Sequence, residues 1–163
     1  MIILIACVAA NRVIGRDGDQ PIYLEKDLQR FRALTRGKPV IMGRKTFEAI
    51  SAKIGGPLPK RPNIVVTHQA KYKRKDVIVC HSVPEALEKA KELGTEVFVI
   101  GGQQLFEAAL PLADRLELTE VHKDLDGDTY FPVFDSKKWH ELVREVNEEG
   151  GIDFDFVTYE RIR

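Results

Sequence analysis

Hydrophobic positions along the chain alternate between two periods. Ile2 to Val8 is an unbroken apolar run, which predicts a strand buried on both faces. The stretch that follows, through Gly15 and Asp17-Gly18 to Pro21, fits neither period and predicts a long loop of the kind that carries function. Leu24 to Thr35 has helical spacing and stops at Gly37, with Pro39 just beyond. Pro39 to Gly43 reads as a strand, Arg44 to Ile50 as a short helix, and Gly55 to Pro59 as a loop. Asn63–Thr67 and Asp76–Cys80 are two further strands around a lysine-rich turn.

Ser82-Val83-Pro84-Glu85 opens a helix to about Leu93, with an N-capping hydroxyl and a proline in its first turn. Glu96–Ile100 is a strand, Gly101-Gly102 a tight turn, Gln103–Leu110 a helix and Leu116–Val121 a strand. The remainder predicts two strands, Trp139–Val146 and Phe154–Ile162, joined through Glu148-Glu149-Gly150-Gly151. The repeated strand–helix–strand order implies an α/β fold: a mostly parallel twisted sheet of about eight strands with helices on both faces. The last two strands, alternating apolar with polar across a short connection, should form an antiparallel hairpin at the C-terminal edge.

Length and composition narrow the picture. A chain of 163 residues, with 44% apolar and 31% charged residues, fits one globular domain over 1–163. Basic and acidic side chains balance at 25 each, so the charge gives no sign of nucleic acid or an anionic membrane as partner. The N-terminal apolar run lacks a preceding basic segment and is far short of the roughly 20 residues of a membrane span. Cys7 and Cys80 form no CxxC pair and read as reduced thiols, which suits a cytoplasmic setting. His68, His81, His122 and His140 lack ligand spacing, so no metal site is expected.

Candidate chemistry gathers at four places. In Val97-Phe98-Val99-Ile100-Gly101-Gly102-Gln103, glycines between a strand and a helix let backbone approach a ligand, and free amides can bind phosphate. Val40-Ile41-Met42-Gly43-Arg44-Lys45-Thr46 repeats that junction with two cations and a hydroxyl. Taken singly, either is as readily an ordinary tight turn; taken together they suit the two ends of a pyrophosphate. The three-glycine Rossmann pattern is absent. A third strand ends in Thr67-His68, which with Arg44 could surround a ribose 2′-phosphate and so favours NADPH over NADH. The fourth place is Asp27. Leu24, Asp27 and Phe31 share one helix face beside Leu28, which sets a lone carboxylate at an apolar stripe. Such an acid has either a route to solvent or a raised pKa and a need for hydrogen-bond donors, which an amidine-like heterocycle edge supplies.

The chain resembles the dihydrofolate reductase family. The matching stretches are Leu4-Ile5-Ala6, Arg12-Val13-Ile14-Gly15, Pro39 through Glu48, Val99-Ile100-Gly101-Gly102 and Gly127-Asp128-Thr129-Tyr130-Phe131-Pro132. The resemblance implies an NADPH-dependent enzyme that reduces dihydrofolate, acting as a monomer. It implies that Asp27, backed by the Thr119 hydroxyl, is the catalytic acid and holds the pterin. Ile5, Cys7 and Ile100 would frame that ring. Leu28, Phe31, Ile50 and Leu58 would enclose the p-aminobenzoyl group, and Arg61, assisted by Arg32, would pair with the glutamate carboxylate.

For the cofactor, the same resemblance implies Cys7, Ile14 and Gly15 at the nicotinamide, near Phe106. Gly43, Lys45, Thr46, Gly101, Gly102, Gln103, Gln104 and Leu105 would lie at the pyrophosphate. Arg44, Thr67, His68 and His81 would lie toward the adenosine end. The loop from Ala9 to Leu24 would be a mobile lid backed by Asp128. Ile22 stands where the family usually has a tryptophan, and an isoleucine cannot hydrogen-bond a water beside the acid. The loop carrying Leu58 and Arg61 is a few residues longer than in short bacterial members. A related reductase acting on a riboflavin precursor shares the fold, but Asp27 in its helix and Arg61 favour the folate reading. A non-catalytic pterin- or NADPH-binding protein is the other reading, and Ile22 is its only support.

Overall fold

The computed structural model describes residues 1–163. An eight-stranded sheet runs through the molecule in the order β5-β4-β3-β6-β1-β7-β10-β9. Its strands are β1 (Ile2–Val8), β3 (Val40–Gly43), β4 (Asn63–Val66), β5 (Ile78–Cys80), β6 (Val97–Gly101), β7 (Arg115–Val121), β9 (Trp139–Glu149) and β10 (Ile152–Arg161). The first six pair in parallel, and β10 runs antiparallel to both β7 and β9. Helices α1 (Glu25–Thr35), α2 (Arg44–Ile54), α3 (Val83–Leu93) and α4 (Gln103–Ala109) cover it.

The unbroken apolar run of β1 is explained by burial on both faces. Ile2 and Leu4 join a core cluster with α3 and α4, through Leu87, Ala90, Leu105 and Phe106. Ile3 and Ile5 point the other way into a second cluster with Phe47 of α2, edged by Phe31 and Leu34 of α1. A third, smaller cluster of Leu24, Val121, Phe154 and Phe156 seats the start of α1 on the antiparallel end of the sheet. At about 25 cal/mol per Å² of apolar surface, full burial of each such side chain contributes about 1.5–3 kcal/mol, and these clusters fix the helices on the strands.

The main departures from the sequence expectation are at the end of α2, in the C-terminal hairpin and in the loop after β1. Helix α2 runs one turn further, to Ile54, and ends at Gly55 in the left-handed region. Residues 51–54, left unassigned between the expected helix and loop, are therefore helix. The C-terminal hairpin is tighter than expected, with only Gly150 and Gly151 between its strands. Both have positive φ, 57° and 83°, which suits a two-residue hairpin turn. Inside the region read as irregular, β2 (Val13–Gly15) pairs antiparallel with β8 (Thr129–Tyr130). Gly127 is required beside it, since a Cβ there would collide with Val13 and the Gly15 carbonyl. Both cysteines are free, and no helix is long and apolar enough to cross a membrane.

Candidate active site

Parallel strands β1, β3 and β6 end side by side, and the loops after them leave a cleft of about 1560 Å³ on the α1–α2 side. It takes in every candidate residue except Thr119: Ile5, Cys7, Ile14, Gly15, Asp27, Leu28, Phe31, Arg32, Gly43, Arg44, Lys45, Thr46, Ile50, Leu58, Arg61, Thr67, His68, His81 and Ile100 through Phe106. Thr119 lies buried beneath Asp27, on β7. A smaller hollow of about 360 Å³, under Phe131 and Phe134, carries none of these residues.

The two glycine junctions meet. Met42 pairs with Gly101 across β3 and β6, and a Cβ on Gly43 would stand 3.9 Å from the Gly101 carbonyl and the Gly102 amide. The Thr46 hydroxyl lies 3.6 Å from where a Gly102 Cβ would be. Gly101 has φ 129°, a conformation that side chains resist. Neither Gly43 nor Gly102 offers a side-chain cap to the helix it starts, so first-turn amides of α2 and α4 are left without a side-chain acceptor beside this glycine cradle. A pyrophosphate fits such a cradle, and Lys45 stands beside it. Arg44 is held by Glu48, Nη1 lying 3.1 Å from both carboxylate oxygens. His81 donates from Nδ1 to the Thr67 carbonyl at 2.9 Å, which fixes β4's end against β5's. Arg44, Thr67, His68 and His81 thus form one polar end of the cleft.

The other end is built around Asp27. Burial pushes its carboxyl above the usual carboxylate range, and the negative charge of Glu149 adds to that. The Thr119 hydroxyl, donating to Oδ1 at 2.5 Å, and the Arg30 guanidinium oppose it. Arg30 itself is paired with Glu117 at 2.5 Å. The Cys7 thiol, on the neighbouring strand, is pushed far up by burial and by Asp27, so it stays protonated and unreactive.

Beyond Asp27, Leu28, Phe31, Ile50 and Leu58 form an apolar passage leading to Arg61. Arg61 donates from Nη1 to Thr35 Oγ1 at 3.0 Å and from Nε to the Pro59 carbonyl at 2.9 Å. Burial, then Arg32 and Arg36, hold its pKa below the usual guanidinium value, the mark of a crowded cationic site suited to an anion.

Several contributors escape the sequence reading. Asn63 pins the loop before Arg61, with bonds of 2.7–3.0 Å to Leu58 and Arg61 backbone. Asp19, in the loop before α1, accepts from both Lys53 of α2 and the Tyr23 hydroxyl, which holds that loop against the extra turn of α2. Asp128 accepts from the Asp17 amide of the same loop at 3.0 Å. Glu149 reaches the start of α1 from the hairpin tip. Only a contact between distant segments could reveal these, and no local pattern signals one.

A cradle for a phosphate-bearing group, joined through one cleft to a buried acid and a cationic exit, defines the class as a two-ligand α/β enzyme. Comparison with known proteins supports this and sharpens it. The family model "Dihydrofolate reductase" matches residues 1–161. The chain is 43% identical to dihydrofolate reductase HdrB of Haloferax volcanii, over 98% of this chain and 82% of that protein. It is 41% identical to the dihydrofolate reductase of Bacillus subtilis, over 99% and 95%. Among solved structures it is similar to dihydrofolate reductase from Enterococcus faecalis complexed with NADP(H) and RAB-propyl. That match has a TM-score of 0.92 and 31% identity, and covers 100% of this chain and 97% of the other. The chain belongs to the dihydrofolate reductase family.

Proposed function

We propose that this chain reduces 7,8-dihydrofolate to 5,6,7,8-tetrahydrofolate with NADPH, and that the pterin is held at Asp27. The observation that carries this is the pairing, in one cleft, of a buried carboxyl with a glycine cradle. The E. faecalis relative, described as a complex with NADP(H), supports the cofactor assignment. NADPH supplies a hydride when bound, for which pterin C6 is the acceptor, and N5 gains a proton.

The chain's own residues bind, orient and polarise. One Asp27 oxygen is occupied by Thr119, which leaves the other, on a residue lining the cleft, to accept from the pterin N3 and 2-amino groups. A carboxyl with a raised pKa stays partly protonated nearer neutrality than an ordinary aspartate, so it can polarise the ring toward protonation at N5. Ile5, Cys7 and Ile100 shape the floor under that ring, and Arg61 with Arg32 holds the glutamate carboxylate. Gly43, Lys45, Thr46, Gly101 and Gly102 hold the pyrophosphate, while Ile14, Gly15 and Phe106 border the nicotinamide. The four residues at the polar end, Arg44, Thr67, His68 and His81, hold the 2′-phosphate and adenosine. Ile22 packs into the cluster under the lid with Leu24 and Phe156, so the position usually held by tryptophan is filled by apolar contact alone. Proton delivery here relies on water without an indole partner.

The test is loss of NADPH absorbance on adding dihydrofolate to the purified protein, with Asp27→Asn beside it. Oxidation by the wild type and little by the variant is the expected result. Binding of both ligands without turnover in either protein would instead establish a binding protein, with Ile22→Trp as the next variant.

A further inference from the structure

Helix α1 begins without a cap of its own. The residue at its N-cap, Leu24, has no side-chain hydrogen-bonding group, yet the first amides of a helix need acceptors. A carboxylate from the far end of the chain meets that need. Glu149 accepts from the Glu25 amide at 2.7 Å and the Lys26 amide at 2.9 Å, one with each oxygen. Lys26 returns the contact, donating from Nζ to the Glu148 carbonyl at 3.1 Å. The hairpin tip that presents Glu149 is itself fixed, by the Gly150-Gly151 turn and by a 2.7 Å bond from the Gly151 amide to Glu148. We propose that Glu149 is a positioning residue for the active site, acting as an external N-cap that sets the first turn of α1 and, with it, Asp27.

This inference rests on the proposed role of Asp27. The residue after the two capped amides is Asp27 itself, and its bond to Thr119 reaches a different element, β7. Registration of one helical turn therefore decides whether the carboxyl meets both Thr119 and the cleft. The charged and titratable groups around Asp27 are Arg30 on its own helix, Cys7 on β1, Glu117 on β7 through Arg30, and Glu149. Glu149 is held below the usual carboxylate range by the Lys26 and Glu25 amides, which favours its charged form. Its charge favours the protonated form of Asp27.

The test is single-turnover NADPH oxidation against pH, with the KM for dihydrofolate, in wild type, Glu149→Ala, Glu149→Gln and Asp27→Asn. Glu149→Ala is expected to raise KM by about fivefold, the size of a lost helix cap. It should also move the midpoint of the pH profile downward, because Asp27 loses a neighbouring negative charge. Glu149→Gln, which keeps one acceptor but no charge, should move the midpoint the same way with a smaller change in KM. A Glu149→Ala enzyme that melts earlier while keeping the wild-type midpoint and KM would reduce Glu149 to a structural cap and overturn the proposal. If Asp27→Asn retained full rate and pH dependence, the reading of Asp27 would fail instead, and the two failures are distinguishable.

Discussion

The glycine-junction half of the cleft is made of backbone, whereas the Asp27 half is made of side chains brought together from distant strands and helices. Gly43, Gly101 and Gly102 form their cradle because β3 and β6 are neighbours and each runs straight into a helix. Everything that half needs is contained in two short segments. Asp27, by contrast, depends on Thr119, 92 residues away, and on Glu149 at the tip of the C-terminal hairpin. The backbone half can therefore tolerate changes in most side chains but not in glycine. The side-chain half should fail at single polar atoms.

The largest expected effect separates the halves outright. Asp27→Asn should lower the hydride-transfer rate by about 100-fold or more, the usual scale of acid–base assistance, while leaving NADPH affinity near wild type. Equal losses in both would dissolve the distinction. Next, Arg61→Ala should raise the KM for dihydrofolate by roughly 10- to 100-fold, as expected when a charge-assisted bond is lost. It should change kcat far less, which steady-state kinetics will show. Gly101→Ala tests the other half: its φ of 129° resists a side chain, and NADPH should bind about tenfold more weakly by fluorescence titration. Dihydrofolate binding should be nearly unchanged.

Smaller effects sharpen the electrostatics. The Thr119 hydroxyl lowers the Asp27 pKa, so Thr119→Val should move the pH profile of hydride transfer upward, with about a fivefold change in KM. Stability should respond with the sign set by burial. The folded-state pKa of Asp27 lies above its unfolded value, so its contribution is intact below the unfolded pKa and is lost as pH rises through the folded one. Asp27→Asn should therefore melt higher than wild type at neutral pH, with the difference closing in acid. A constant difference across that range would mean that Asp27 is not the group being relieved.

Legibility in the sequence divides along the same line. The parallel sheet, the glycine junctions and the edge hairpin were readable because each is encoded in a contiguous run, with period and punctuation in register. The pterin-side residues were named through family resemblance, and only Asp27 stood out from its own helix pattern. Strands β2 and β8, of three and two residues, were invisible because they form only where Gly127 lets two loops touch. The extra turn of α2 went unassigned because Ser51, Ala52 and Lys53 carry little apolar signal. The Asp19–Lys53 contact, the Asn63 brace and the Glu149 cap join segments with no shared local pattern.

The central claim is that a buried carboxyl on α1 governs proton supply to the pterin. The most direct measurement is the single-turnover rate of NADPH oxidation by dihydrofolate from acidic to basic pH, in wild type and in Asp27→Asn. The account predicts a wild-type rate that falls as pH rises through a midpoint above the ordinary aspartate range, with that midpoint abolished in the variant. A wild-type profile that is flat, or a midpoint that survives in Asp27→Asn, would contradict it.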